Sequence, residues 1–469
     1  MWLGVAQCTA HFPAELFEGV MMNLILHAEL TVGLVLRTEV VPLDSSTSTS
    51  DTKNIDKSVL YEVPGYTLNQ VLRRRLLPKV PERDASLEQD CILYRDDSPD
   101  PDVTLVTLFP LLQPGQKMPH YHPDVDALAF RYLPSKHDAA PPLVRVDVVP
   151  RNSASRDEGS RLYKTCVTLL EIIDKHGWGL LTGYSKRMIH DTVVPRNTYQ
   201  DFYHVMKKKY QHLKEEWVES TDAVKNVFED IGIATFLMLL WRDTYPPVIE
   251  NNQEKWGRPP GGFVDAGCGA GLLVHILLSE GYQGIGLDIR ARKSWDTYPT
   301  STRSRLHVCA LDPLSPGFPP KNYFPPGIFL IGNHADELTP WLPVTAALVP
   351  SASYISIPCC PWSFDKGFHR ASSIFPSFIE QEDKTLKKRL GNTSSSTYGA
   401  YLCWLSALTK ECGFQGEYEA LRIPSTRNWC IIGRYKLPGH DGTARASQLL
   451  AEVVNRGLFK TRKNVAAGH

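Results

Sequence analysis

The stretch Phe263-Val-Asp-Ala-Gly-Cys-Gly-Ala-Gly-Leu-Leu-Val-His-Ile-Leu-Leu-Ser-Glu-Gly281 reads as a short apolar strand, a glycine turn and a helix. Gly267, Gly269 and Gly271 form the turn, and Asp265 stands before it. Without a Cβ, glycine lets backbone approach a ligand closely and take positive φ. The helix behind the turn offers unpaired N–H groups and positive potential, which suit a carboxylate. The spacing D-x-G-x-G-x-G differs from the GxGxxG of dinucleotide sites. An acid ahead of the first glycine would repel a pyrophosphate but attract an ammonium. A ligand with both a carboxylate and an ammonium is expected, and S-adenosylmethionine (SAM) fits.

Working outward, Gly284-Ile-Gly-Leu-Asp288 is a second strand ending in an acid, 23 residues after Asp265, which leaves room for one helix. Its carboxylate is suited to the hydroxyls of a ribose. Ala310-Leu-Asp312 is expected to close a third strand, with Asp312 towards an adenine amine, and Asn333, which ends a fourth, is a further cofactor-binding candidate. Later apolar runs, at 354–357, 421–424 and 429–435, alternate with a helix at 400–410. The fold class expected is α/β: a doubly wound, Rossmann-like methyltransferase sheet with an N-terminal α+β extension.

The rest of the chain sets bounds. It has 469 residues, enough for two domains, and 42% of them are hydrophobic, enough for a large core. Lys+Arg and Asp+Glu are equal at 51 each, so bulk charge does not announce a nucleic-acid partner; local basic patches would have to hold one. The ten cysteines show no spaced CxxC frame, and only Cys359 and Cys360 adjoin. They read as reduced thiols. No apolar span of membrane length and no secretory leader is evident. The organisation expected is an N-terminal region over 1–150 with a Ser/Thr-rich insert at 44–56, and a helical segment over 160–245 packing on the catalytic domain. A methyltransferase domain over 246–440 and a basic tail over 441–469 follow.

Several further stretches resemble one family. They are Tyr121-His-Pro123 with Leu128-Ala-Phe-Arg-Tyr132, Val227-Phe-Glu-Asp-Ile231, and Phe329-Leu-Ile-Gly-Asn-His-Ala-Asp-Glu-Leu-Thr-Pro-Trp341. Ile357-Pro-Cys-Cys-Pro-Trp-Ser-Phe-Asp365 and Ile423-Pro-Ser-Thr-Arg-Asn-Trp429 complete the set. Together they resemble the tRNA (uracil-2′-O-)-methyltransferase family, over roughly residues 100–435. The resemblance implies SAM-dependent, cytoplasmic methylation of the ribose of uridine 44, typically in serine tRNAs. It implies tRNA as partner; no membrane association is expected, and no obligate protein partner is evident in the sequence.

A 2′-hydroxyl is a poor acid, so methylation calls for a proton acceptor and nearby cations. Open α/β sheets place ligands at the carboxyl ends of their strands. Asp336 and His334 are the candidate acceptors there, and Lys366 and Arg427 the candidate partners of phosphate or nascent alkoxide. Arg290, Arg292 and Lys293, just after Asp288, are candidates for RNA phosphates. Arg73–Arg75, Lys207–Lys209 and 384–389 read more simply as solvated faces. No metal is expected: zinc at Cys359, Cys360 and His369 would require a vicinal pair, which rarely makes a tetrahedral site. Two other classes remain open. One is a non-catalytic SAM-fold subunit that binds RNA or protein. The other is a methyltransferase for another substrate, protein or the carbon-5 of an RNA base, with Cys359 as nucleophile in the last case.

Overall fold

A computed structural model of the chain describes residues 1–42, 63–97, 102–135, 140–151, 157–184, 190–250, 253–369 and 384–457. The Ser/Thr-rich insert at 44–56 and the basic residues beyond 457 lie outside them. The chain divides into two compact units, Met1–Ser185 and Lys186–His469. No helix among the described residues is long and apolar enough to cross a membrane.

The first unit is an antiparallel sheet with helices on one face. Its elements are β1 (Leu3–Thr9), α1 (Phe17–Leu26), β2 (Val35–Val41), β3 (Tyr66–Pro78), β4 (Leu87–Asp96), β5 (Val103–Leu111), β6 (Val125–Leu133), β7 (Leu143–Pro150) and α2 (Arg161–Leu181). The seven strands lie in the order β1-β7-β6-β5-β4-β3-β2. Phe17, Val20 and Met21 of α1 and Cys166, Leu170 and Ile173 of α2 pack on Leu93, Val106, Phe130 and Val146 of the sheet. Ser160 caps α2, its Oγ accepting from the Tyr163 N–H at 3.1 Å.

Two expectations change here. The segment 160–245 does not pack as one piece: α2 belongs to the first unit. α2 runs unbroken through His176-Gly-Trp-Gly179 to Leu181. Gly177 is a packing notch, where a Cβ would stand 2.0 Å from the Phe12 ring. Arg73–Arg75 lies on β3 and is neutralised. Arg73 pairs with Asp90 at 2.7 Å and Arg75 with Glu88 at 2.6 Å. Arg74 is buried and donates to the carbonyls of Leu24 and Ile25 at the end of α1.

The second unit contains α3 (Arg196–Tyr210), α4 (Ala223–Thr244), a small hairpin β8 (Val248–Glu250) and β9 (Gln253–Lys255), β10 (Phe263–Ala266), α5 (Leu272–Ser279), β11 (Gly284–Asp288), α6 (Thr300–Arg303) and β12 (Leu306–Val308). It continues with β13 (Phe329–Asn333), α7 (Trp341–Leu348), β14 (Ser353–Ile357), α8 (Lys384–Leu390), α9 (Thr397–Glu411), β15 (Phe414–Ala420), β16 (Trp429–Lys436) and α10 (Gly442–Asn455). The sheet order is β12-β11-β10-β13-β14-β16-β15. The first five strands are parallel, and β16 runs antiparallel to both neighbours. Val264, Leu330 and Tyr354 pack on Trp341 of α7, Trp404 of α9 and Leu449 of α10. Phe263, Phe329 and Ile355, on the other face, pack on Trp241 of α4 and Leu273 and Ile276 of α5. Helices therefore cover both faces, as a buried parallel sheet requires.

The expected tail is partly core: Ala446, Leu449 and Val453 of α10 are buried in this unit. Residues 421–424 are no strand. They belong to the loop joining β15 to β16, and the register Ser356↔Ile431 sets that loop beside the carboxyl end of β14.

Candidate functional site

The cofactor half of the site is built by β10, its glycine turn and β11. Gly267, Gly269 and Gly271 have φ of +82°, +52° and +74°, the left-handed region that L side chains avoid. The turn is tied to β11, because the N–H groups of Gly267 and Cys268 both donate to the Leu287 carbonyl, at 2.8 and 3.0 Å. It is held from above by three side chains: Trp295 Nε1 donates to the Gly269 carbonyl, and Ser294 Oγ and Tyr298 Oη donate to that of Ala270. Asp288 is buried at the end of β11. One of its oxygens accepts from the Gly269 N–H at 2.9 Å and the other from Arg290 N–H at 3.2 Å. A carboxylate has about four acceptor sites, so capacity remains for two ribose hydroxyls.

A cleft of about 690 Å³ opens over this edge of the sheet. Gly267, Gly269, Asp288 and Ile289 form one wall, and Cys309, Ala310 and Leu311 continue it. Asn333, His334, Asp336 and Cys359 supply the far side, after β13 and β14. Ser425, Thr426 and Arg427 reach in from the loop before β16. Trp217, Lys225, Glu229 and Asp230 enter from α4 and the segment ahead of it.

Two carboxyls have their pKa raised by burial. Asp265 is 1% exposed and its Oδ1 has no hydrogen-bond partner. Burial, with Asp230 and Asp288 nearby, raises its pKa well above the usual carboxylate range. Asp230 is tightly enclosed yet keeps an edge open to the cleft. Burial, and next the charge of Glu229, push it to about 7, while His334 and the Asn333 amide oppose the rise. Asn333 donates to Asp230 Oδ1 at 3.2 Å, and its own buried Oδ1 is unpartnered. Crowded acids and orphaned oxygens beside a glycine turn fit the ammonium of SAM, which would satisfy them.

The far side is strained. His334 and Asp336 both take positive φ, +55° and +45°, two such non-glycine residues within three positions. His334 Nε2 lies 3.0 Å from Glu229 Oε1. Cys359 Sγ lies 3.5 Å from both Asp336 Oδ1 and Cys360 Sγ. Burial first, then Cys360 and Asp336, raise the Cys359 pKa. Arg427 donates to the Cys359 carbonyl, and its guanidinium lies 5.6 Å over the Tyr398 ring.

The structure thus gathers Gly267, Gly269, Asp288, Arg292, Asn333, His334, Asp336 and Arg427 in one cleft, with Asp265 and Gly271 directly behind the turn. It leaves three proposed groups outside. Asp312 does not line the cleft: β12 ends at Val308, and the Asp312 carboxylate caps a turn by accepting from Leu314 N–H at 2.9 Å. Lys366 is exposed in a β-bridged loop, Trp362 to Gly367, and does not line the cleft. Arg290 and Lys293 are exposed and absent from the lining, leaving Arg292 as the cleft-facing member of that cluster. Sequence reading missed Glu229, Asp230, Trp295 and Tyr298 as site residues. Its one available signal was two adjacent acids inside the apolar helix α4, since buried acids need a reason.

Residues 193–313 match a family model described as a predicted AdoMet-dependent methyltransferase. The class is therefore that of SAM-dependent methyltransferases. Residues 1–187 match the model of a TRM44-like, N-terminal bet v1-like domain. A tRNA (uracil-O(2)-)-methyltransferase of Schizosaccharomyces pombe is 35% identical, covering 100% of this chain and 93% of that one. The enzyme of that name from Neurospora crassa is 36% identical over 91% of this chain and 85% of its own. The one from Saccharomyces cerevisiae is 32% identical over 77% and 68%. The chain belongs to the tRNA (uracil-O(2)-)-methyltransferase family.

Proposed function

We propose that this chain methylates the ribose 2′-oxygen of a uridine in tRNA, with SAM as methyl donor, and that the uridine is position 44, chiefly of serine tRNAs. The observation that carries the reading is a single cleft joining a SAM-type half, from the glycine turn to Asp288, to a half rich in proton acceptors and a cation. The seven-stranded order with one reversed strand supports a doubly wound, Rossmann-like methyltransferase sheet. The family resemblance supports position 44, the serine tRNAs and a cytoplasmic location.

When bound, SAM supplies an activated methyl group. The chain's own work is to hold the hydroxyl in line and accept its proton. His334 and Asp336 both line the cleft and would serve as acceptors; Arg427 and Arg292 line it too, Arg427 to engage a phosphate or the developing alkoxide and Arg292 a backbone phosphate. Carbon-5 methylation is disfavoured, because burial makes the Cys359 thiolate harder to form.

The test is incubation with SAM and a pool of tRNA transcripts, followed by nucleoside analysis and fragment mapping. 2′-O-methyluridine at one variable-loop-proximal position is the expected product. 5-Methyluridine, or methyl groups on protein only, would reject the reading.

A further inference from the structure

The acids of α4 divide their labour. Asp230 meets Asn333, and Glu229 meets the next residue, His334. We propose that Glu229 is a positioning residue for the methyl transfer: its buried carboxylate holds the His334 imidazole with Nε2 protonated, leaving Nδ1 to accept the ribose hydroxyl proton. This rests on the reading of the cleft as a 2′-O-methyltransferase site.

The contact points to one tautomer. A carboxylate accepts hydrogen bonds, so the 3.0 Å contact suits an Nε2–H donor. Nδ1 then has a lone pair, and no hydrogen bond to it occurs among the described residues. The Glu229 side chain is 8% exposed and His334 31%, so the carboxylate is fixed inside while the imidazole meets the cleft. The backbone agrees. His334 sits at φ +55°, pinned by its N–H donating to the Ile357 carbonyl at 3.2 Å, and that conformation delivers the ring to α4. Asp336, the rival acceptor, already faces the Cys359 thiol at 3.5 Å. In the transfer the O–H bond breaks, its proton goes to Nδ1, and oxygen bonds the methyl carbon. The carbon–sulfur pair returns to sulfur and neutralises the sulfonium. The imidazolium formed keeps its Nε2–H on Glu229, which stabilises the new positive charge.

The decisive comparison is Glu229→Gln, His334→Asn and the double variant. Each is assayed for kcat and KM on tRNA transcripts and for SAM affinity by calorimetry. Glu229→Gln is expected to lower kcat about 10- to 100-fold, in the range of a misoriented general base, with tRNA KM and SAM affinity unchanged. The double variant should be no slower than His334→Asn alone, because the carboxylate acts only through the ring. Glu229→Asp should recover part of the rate. A loss confined to KM, or additive losses, would assign Glu229 a purely structural role and overturn the proposal. Should Glu229→Gln not fold, 15N spectra of histidine-labelled wild type, with the His334 signal assigned by its loss in His334→Asn, decide the matter. The Nε2–H tautomer supports the proposal and Nδ1–H overturns it. Full kcat in His334→Asn would end the dyad yet leave 2′-O-methylation by this chain standing. Absence of 2′-O-methyluridine with the wild type would end both.

Discussion

Replacing Asp230 with Asn should stabilise the ligand-free protein while weakening SAM binding, and the effect should depend on pH in a defined way. Asp230 has its pKa raised from 3.8 to about 7, first by burial and then by Glu229. The folded carboxyl therefore holds a proton that the unfolded chain has already lost at the same pH. Stability falls as pH rises through the window from about 4 to about 7, and the full penalty is present above it. A rise of about 3 units corresponds to up to about 4 kcal/mol. Asn preserves the oxygen that accepts from the Asn333 amide and cannot ionise. At ~2 °C per kcal/mol for a unit of this size, the variant should melt up to ~8 °C above wild type at pH 8 and at the same temperature near pH 4. The assay is a series of thermal melts of both proteins from pH 4 to 8, with and without SAM. Saturating SAM should narrow the gap at pH 8, because its ammonium offsets the carboxylate charge in wild type alone. A variant less stable than wild type at pH 8, or a gap equal at pH 5 and pH 8, would refute the reasoning.

Three further outcomes follow from the site. Asp288→Ala removes the partner of the Gly269 and Arg290 N–H groups as well as the ribose acceptor; calorimetry should show SAM affinity falling by at least ~30-fold, about 2 kcal/mol for a charged hydrogen bond lost. Arg427→Ala should leave SAM affinity unchanged and raise the tRNA KM; if the guanidinium meets a phosphate, the slope of log affinity against log salt should shrink by about 1. Cys359→Ser should retain at least about half the wild-type rate of 2′-O-methyluridine formation, because a half-buried thiol with a raised pKa serves as a donor to Asp336 and not as a nucleophile; loss of all turnover would refute that.

What the sequence disclosed of this site, and what it hid, follows from the range of the interactions. The glycine turn and Asp288 were legible because strand, turn, helix and strand are local: each residue type answers a need within its own element. Asp312 was misplaced for a related reason. Its apolar run continues to Leu311, but the ladder to β11 ends at Asp288↔Val308 with Cys309 N–H donating to the Asp288 carbonyl, and Asp312 falls in the turn beyond. In the first unit, β3 and β4 escaped notice because Arg73 and Arg75 look like a solvated basic run until Asp90 and Glu88, on the neighbouring strand, are set against them. The deepest omission was the pair on α4. His334 and Glu229 are 105 positions apart, and Asn333 and Asp230 are 103 apart. No periodicity reports such a pairing. Yet Glu229 and Asp230 interrupt a helix whose face from Ile231 to Trp241 is buried throughout. An acid pair in that setting loses hydration unless something answers it, and the answer lies at the end of β13. The Phe228-Glu-Asp230 and Asn333-His-Ala-Asp336 stretches of this chain therefore meet in one cluster, which is why substitutions at 229 and 334 should be measured together.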